Sequence, residues 1–289
     1  MISIIIPVFN EENAIGKCID EIEKVLNKNK KYKDYEIIIV NDGSTDNTYN
    51  EIKKRNVKII NNPCNMGYGY SLKKGINKAL YETIVIIDGD YTYPFSYFNE
   101  LIKEKEKGFD LVVGARTGKY YKESFSKVIL RSILRRFVEM VSGKKIVDIN
   151  SGFRIFDKST VIPFFPRLCN TFSFTTSQTL AYVMNSLTVK YIEIPYNKRI
   201  GKSKIKLFKD SLILLKYILE SCIYYNPLKI FSLFSLICIF LSIIGFIFSH
   251  FMNIHAGYIL GIGGLLVSIL IMSIGFLAVL LKQIMDKNK

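Results

Sequence analysis

Tryptophan is absent from this sequence, and histidine occurs only as His250 and His255. Two histidines in one short stretch between apolar runs read as polar loop residues, not as a metal site. The five cysteines (18, 64, 169, 222 and 238) form no CxxC pair and no even framework, which argues against a disulfide scaffold and for reduced, packing thiols. No repeat or low-complexity run interrupts the chain. Met1 leads directly into an apolar strand, so no signal peptide is expected. Acidic residues are scarce, 25 against 40 Lys and Arg, for a net charge of +15. From residue 230 to residue 281, charge is missing altogether.

That uncharged run is 52 residues long. A bilayer core needs about 20 helical residues per crossing, so it holds two spans. The first is expected from Ile230 to Ser249 and the second from Gly257 to Leu281. Lys209, Lys216 and Lys229 precede the pair, Lys282, Lys287 and Lys289 follow it, and the connection from His250 to Ala256 has no Lys or Arg. By the positive-inside rule both ends, and the large N-terminal domain, are expected in the cytoplasm. The positive charge is concentrated in two places. Nine cations lie between Arg116 and Lys145, and seven between Lys198 and Lys216. Nucleic acid is the usual partner of such clusters, but with membrane spans directly downstream anionic lipid headgroups are the expected one.

The N-terminal part reads as strands alternating with helices, which predicts a parallel α/β sheet. Strands are expected at Ser3–Pro7, Tyr35–Val40, Val57–Ile60, Leu111–Gly114 and Val189–Pro195. A buried one spans Glu82 to Asp90 and ends in Asp88-Gly89-Asp90. Ligands of an open parallel sheet bind beyond the carboxyl ends of its strands. Side chains repeat every two residues along a strand, so Asp88 and Asp90 are expected on one side, with Gly89 letting the backbone approach a ligand. Two hard oxygen ligands suit Mg²⁺ or Mn²⁺ shared with a diphosphate. Asn65-Met66-Gly67-Tyr68-Gly69 opens a helix, and the glycines there are read as easing the helix start, not as a phosphate cradle. Residues 117–145 and Lys206–Tyr224 have helical periodicity with cations opposite an apolar side, as expected of segments lying on a membrane. Gly257-xxx-Gly261 could pack spans of two subunits or of one hairpin.

Taken in order, seven pieces resemble one family. They are Ile-Ile-Pro-Val-Phe-Asn-Glu-Glu at 5–12, Val-Asn-Asp-Gly-Ser-Thr-Asp at 40–46, Asn-Met-Gly-Tyr-Gly at 65–69 and Asp-Gly-Asp at 88–90. Gly-Ala-Arg at 114–116, Ser-Gly-Phe-Arg at 151–154 and Ile-Pro-Tyr-Asn-Lys-Arg-Ile-Gly-Lys-Ser-Lys-Ile at 194–205 complete the set. The chain resembles a family 2 glycosyltransferase of the polyprenol-phosphate type, the group of dolichol-phosphate mannose synthases and polyprenyl-phosphate glucosyltransferases. One departure is Thr92, where many relatives carry Gln.

The resemblance implies a GT-A domain over residues 1–205, a juxtamembrane helix over 206–227, two transmembrane helices over 228–283 and a short tail over 284–289. It implies inverting, metal-dependent transfer of a hexose from a UDP- or GDP-linked donor to a polyprenyl or dolichyl phosphate. Pro7, Glu11 and Asp42 would hold the nucleoside. Asp88, Gly89 and Asp90 would meet ribose, metal and diphosphate, and Arg199, Ser203 and Lys204 would close over the diphosphate. Arg116, Lys127 and Arg131 would take the acceptor phosphate. Asp148 would lie in the site, with Arg154 as its partner or as a phosphate ligand. A phosphate monoester is mostly dianionic at pH 7, so no strong base is required and Asp148 is read as an orienting group. Two rivals share the fold. A processive polysaccharide synthase would need a Gln-x-x-Arg-Trp motif that a chain without Trp cannot carry, and a non-catalytic nucleotide-binding scaffold would not need intact Asp88 and Asp90. A homo-oligomer joined through the spans is the remaining partner expectation.

Overall fold

A computed structural model describes residues 1–32, 34–118, 135–136, 138–140, 142–201, 207–252 and 255–287. Two compact units result, Met1–Ile218 and Leu219–Lys289.

The first unit is built on seven strands. These are β1 (Ile2–Val8), β2 (Tyr35–Asn41), β3 (Lys58–Asn61), β4 (Thr83–Ile86), β5 (Leu111–Thr117), β6 (Arg154–Asp157) and β7 (Val189–Pro195). Their order is β3-β2-β1-β4-β6-β5-β7. Every residue of β1 is buried, because the strand is central and covered on both faces, which is why it reads as one apolar run. Helices α1 (Ile15–Lys28), α2 (Thr48–Lys53), α3 (Tyr68–Lys78) and α4 (Phe98–Glu106) alternate with the strands. Helix α1 buries Ile15, Cys18, Ile19, Ile22 and Leu26, the three-and-four spacing of a single helical face.

The expectation of an all-parallel sheet is corrected. β6 runs antiparallel to both β4 and β5, so the sheet is mixed. This strand escapes a sequence reading because its four residues begin with Arg and end with Asp. Yet Arg154 is wholly buried. Helix α5 is a single turn (Lys158–Val161) and α6 follows (Phe174–Met184). Helix α6 is buried from Phe174 to Val183 although half of that stretch is Thr, Ser and Gln. A second correction concerns β4, which stops at Ile86. Asp88 and Asp90 therefore lie on the turn beyond the strand and not on the strand itself.

Helix α7 runs from Leu207 to Tyr225. In the second unit α8 (Pro227–Met252) and α9 (His255–Lys287) pack as a hairpin. Both are long and apolar enough to cross a membrane, and only 17% and 11% of their most apolar windows is buried, unlike the core helices of a soluble protein. They extend past the expected spans, so His250 lies in the last turn of α8 and His255 begins α9. Close contact is made through small residues. A side chain on Gly257 would press on Ser249 at 2.6 Å, and one on Gly264 would overlap the Ser242 hydroxyl. Ser235 Oγ donates to the Ser268 carbonyl at 3.1 Å. Gly257 and Gly261 thus serve packing within the hairpin. At its charged end Lys282 Nζ donates to the Tyr225 carbonyl at 2.7 Å.

Most of the basic segment 117–145, including Lys127 and Arg131, lies outside the described residues, as do Ser203 and Lys204.

Candidate active site

β1 has β2 on one side and β4 on the other, and the chain passes from one half of the sheet to the other between them. Such a switch point leaves a crevice outside the carboxyl ends of the strands. A cleft of about 310 Å³ opens there. Its lining includes Pro7, Glu11, Asp42, Asp88, Gly89, Asp90 and Arg199. Seven of the residues singled out in the sequence are therefore brought together by four separate strand ends.

Asp42 is buried, and its carboxylate is used mostly for construction. Oδ1 accepts from Asn62 Nδ2 at 2.7 Å and Met66 N at 2.9 Å, and Oδ2 from Gly67 N at 2.9 Å. It therefore fastens the turn 65–67 to the end of β2. Gly89 is explained by packing. A Cβ there would meet Val8 Cγ1 at 2.7 Å, so the glycine admits β1 while itself lining the cleft.

Asp88 is held from two sides. Tyr68 Oη donates to its Oδ1 at 2.8 Å, and a side chain on Gly152 would overlap its carboxylate. The glycine of Ser-Gly-Phe-Arg is thus the surface against which Asp88 rests. Burial, and then the nearby charge of Asp90, raise the Asp88 carboxyl above the usual carboxylate range. On Asp90, Oδ1 accepts from Thr92 N at 3.1 Å and Thr92 Oγ1 at 2.6 Å. Thr92, the departure noted in the sequence, is therefore part of how Asp90 is aimed. Asp90 Oδ2 lies 3.3 Å from Arg199 Nη1, and Arg199 Nη2 donates to Glu11 Oε1 at 2.6 Å. A cation thus already sits between two carboxylates at this edge of the cleft, so the oxygen donors there suit a hard cation. Among the described residues, however, no three His, Cys, Asp or Glu side chains are grouped to hold a metal by themselves.

Asp148 pairs with Arg116 and not with Arg154. Arg116 Nε and Nη2 donate to its two oxygens at 2.7 and 2.8 Å, and Arg116 N and Asn150 N each add a bond at 3.1 Å. Burial acts to raise this carboxyl, but the Arg116 guanidinium outweighs it and holds it below the usual range. Arg116 also lies over the Tyr196 ring, 5.5 Å from its centroid. Neither Arg116 nor Asp148 lines the cleft. Arg154, offered above as a partner of Asp148 or a phosphate ligand, is neither. It donates to the Ile149 and Ser151 carbonyls, Gln178 Oε1 and Thr179 Oγ1.

Among the cleft residues to which the sequence reading gave no site role are Tyr68, Thr171 and Phe172. The last two arrive on the stretch 168–172, which docks on the start of α3. Gly69 N donates to the Thr171 carbonyl at 3.2 Å and Tyr70 N to the Asn170 carbonyl at 2.8 Å. Lys73 Nζ donates to Leu168 O and Asn170 Oδ1, both at 2.6 Å. The glycines of 65–69 make room for this docking. Gly67 has φ +105, and a Cβ on Gly69 would overlap the Cys169 carbonyl oxygen. The first amides of α3 are thereby capped by carbonyls and not offered to a phosphate, in keeping with the sequence reading. The only signal in the sequence was the Gly-x-Gly spacing, which does not say what approaches. Gly69→Ala is expected to push 168–172 off the helix. Hydrogen exchange at the Gly69-position and Tyr70 amides should then speed up by at least an order of magnitude; unchanged protection would contradict this account.

The chain matches the sequence profile of the family described as Glycosyl transferase family 2 over residues 3–162. A dolichyl-phosphate beta-glucosyltransferase of Dictyostelium discoideum is 29% identical over 241 residues, covering 76% of this chain and 73% of that protein. An undecaprenyl-phosphate 4-deoxy-4-formamido-L-arabinose transferase of Yersinia pestis (strain Pestoides F) is 27% identical over 267 residues, covering 86% and 74%. An uncharacterized glycosyltransferase of Bacillus subtilis (strain 168) is 30% identical over 164 residues, covering 54% of this chain. The match spans only about half of that relative, 49% of its length. Among solved structures, glucosyl-3-phosphoglycerate synthase from Mycobacterium tuberculosis, in complex with Mn²⁺, uridine-diphosphate and glucosyl-3-phosphoglycerate, superposes with a TM-score of 0.61 at 18% identity. That alignment covers 77% of this chain and 80% of the synthase. The α/β unit has the GT-A fold.

Proposed function

Because this chain belongs to glycosyl transferase family 2, we propose that it transfers a hexose, with inversion, from a nucleotide diphosphate sugar to a polyprenyl or dolichyl phosphate. The observation that carries this reading is the cleft at the β1–β4 switch point. It sets the Asp88 and Asp90 carboxylates beside an arginine, in a cleft that Asp42 and Pro7 also line. Pro7, Glu11 and Asp42 hold the nucleoside end of the donor, and Asp88 meets its ribose. Asp90, with Asp88 beside it, would hold Mg²⁺ or Mn²⁺, whose chemistry there is to neutralise the leaving diphosphate. Arg199, with Ser203 and Lys204 beyond it in the sequence, faces the same phosphates.

The lipid acceptor is supported by the two relatives named for dolichyl and undecaprenyl phosphate and by two helices of membrane-spanning length. Arg116, Lys127 and Arg131 take its phosphate, and the basic segments rest on anionic lipid. By the distribution of cations the domain is cytoplasmic. Arg116 is fixed by Asp148, so what it brings to the acceptor is an oriented charge. The attacking oxygen is already ionised on a phosphate monoester.

Release of UDP or GDP from a panel of nucleotide sugars, with and without added polyprenyl phosphate, tests the reading directly. Release that depends on the lipid phosphate, with a glycolipid product seen by mass, is the expected result. Hydrolysis indifferent to the lipid would refute it.

Asp148 supplies a further test. Its carboxyl is held below the ordinary range by Arg116, so it is ionised well under pH 6 and cannot be the source of an acidic limb there. Such a limb follows the acceptor's own second ionisation, near pH 6. Asp148→Asn should lower the rate at every pH and keep the limb. A limb that vanishes in the variant would make Asp148 a general base after all.

A further inference from the structure

Among the described residues, Arg199 faces the Asp90 oxygen that Thr92 does not engage. Asp90 Oδ1 is turned inward to Thr92 N and Oγ1. Its other oxygen, Oδ2, is the one that Arg199 Nη1 faces at 3.3 Å. Any divalent cation using Asp90 must therefore compete with a guanidinium. That guanidinium is well seated. Its Nη2 is 2.6 Å from Glu11 Oε1, and the carboxylates of Glu11 and Asp90 are nearly buried, at 9% and 7% side-chain exposure. The segment that carries it is pinned by Tyr196 N to the Thr117 carbonyl at 3.1 Å and Asn197 N to the Thr92 carbonyl at 2.9 Å. Thr92 thus holds both Asp90 and the stretch leading to its competitor.

We propose that Arg199 is a tethered counter-cation that keeps a divalent metal off Asp90 until a diphosphate arrives, so that the metal enters with the donor and not ahead of it. This rests on the donor assignment above and adds a binding order to it. For the metal alone the exchange is unfavourable. It would expel Arg199 from two carboxylates and gain few protein oxygens in return, since no three-residue cage exists among the described residues. Mg²⁺ and Mn²⁺ favour sites completed by substrate phosphates and water. A diphosphate changes both sides of the exchange. It supplies the metal's missing oxygens, and it offers the planar guanidinium a bidentate anionic partner in place of Glu11 and Asp90. It also supplies an acceptor for Arg199 Nε, which is buried without a hydrogen-bond partner among the described residues. Asp90 Oδ2, released by Arg199, would then be free to hold the metal. Metal and diphosphate therefore help one another bind through one arginine, and the coupling is reciprocal.

The test is Mn²⁺ binding, read from the paramagnetic resonance of the free ion over the full chain in detergent, with and without UDP or GDP. The wild type should bind Mn²⁺ weakly alone and about tenfold or more tightly with the matching nucleotide. Arg199→Gln removes the competing charge. It should bind Mn²⁺ alone about tenfold more tightly than the wild type while losing most of the gain from nucleotide. Arg199→Lys keeps the charge and should stay weak for the lone metal. A purely structural arginine would lower both affinities together when replaced, and that result would overturn the proposal. So would lone-metal affinity unchanged in Arg199→Gln. If neither nucleotide bound to the wild type, the donor reading would fall, but the lone-metal comparison would still decide whether Arg199 guards Asp90.

Discussion

Asp90→Asn is expected to lower sugar transfer on the order of 10³-fold or more while leaving the domain folded. The amide keeps the volume of the carboxylate and an oxygen for Thr92 N and Oγ1, which hold Oδ1 in the native chain. What it removes is the negative charge at Oδ2, the oxygen that faces Arg199. Leaving-group neutralisation is a term that grows as the glycosidic bond breaks, so its loss falls on the rate of transfer. Lipid-dependent nucleotide release measures the effect, and thermal unfolding separates it from misfolding. A variant that turns over normally with Mg²⁺ present would remove Asp90 from the metal role. One that merely unfolds would show the carboxylate to be a structural anchor of Thr92.

The second large effect is one of stability. Arg154→Leu should cost roughly 3–5 kcal/mol, because the carbonyls of Ile149 and Ser151 and the side chains of Gln178 and Thr179 lose their donor in a largely buried site. For a domain of this size that is a fall of roughly 10 °C in the unfolding midpoint. The guanidinium is wholly buried, and no carboxylate among the described residues is within ion-pair distance of it. Burial alone pulls its proton affinity down from the usual arginine value. Gln178→Glu, which places a negative charge where Nη1 now meets Oε1, should therefore offset that burial and raise the midpoint. Were Arg154 a phosphate ligand, Arg154→Leu would spare the midpoint and weaken the acceptor instead.

Much of the donor cleft was legible beforehand because its residues sit at strand ends, and strand ends are marked by a change from apolar runs to Asp, Asn and Gly. Asp88–Asp90 were found that way, while Pro7, Glu11 and Asp42 came from the resemblance to the family. Arg199 came from the family's pattern after the last strand, and all of these converge on one cavity. β6 was not found, since a four-residue strand bounded by charges has no periodicity to display. Tyr68, Thr171 and Phe172 were not found either. Their place depends on a docking between residues about a hundred positions apart, at Gly69 and Thr171.

By itself, then, the chain's order of apolar runs and turns determined the alternating α/β unit, the long uncharged hairpin and the acidic tip at the switch point. These follow from local periodicity and from the cost of burying charge, both of which are written residue by residue. Which charges are joined was decided only in three dimensions. Asp148 could have met Arg154, but β6 carries that arginine inward toward α6 and leaves Arg116 to form the pair. Asp90 could have stood open, but the stretch after β7 brings Arg199 onto its outer oxygen. Ion pairs among residues far apart in sequence have no local signature, because a charge records its own sign but not the neighbour that the folded backbone will give it.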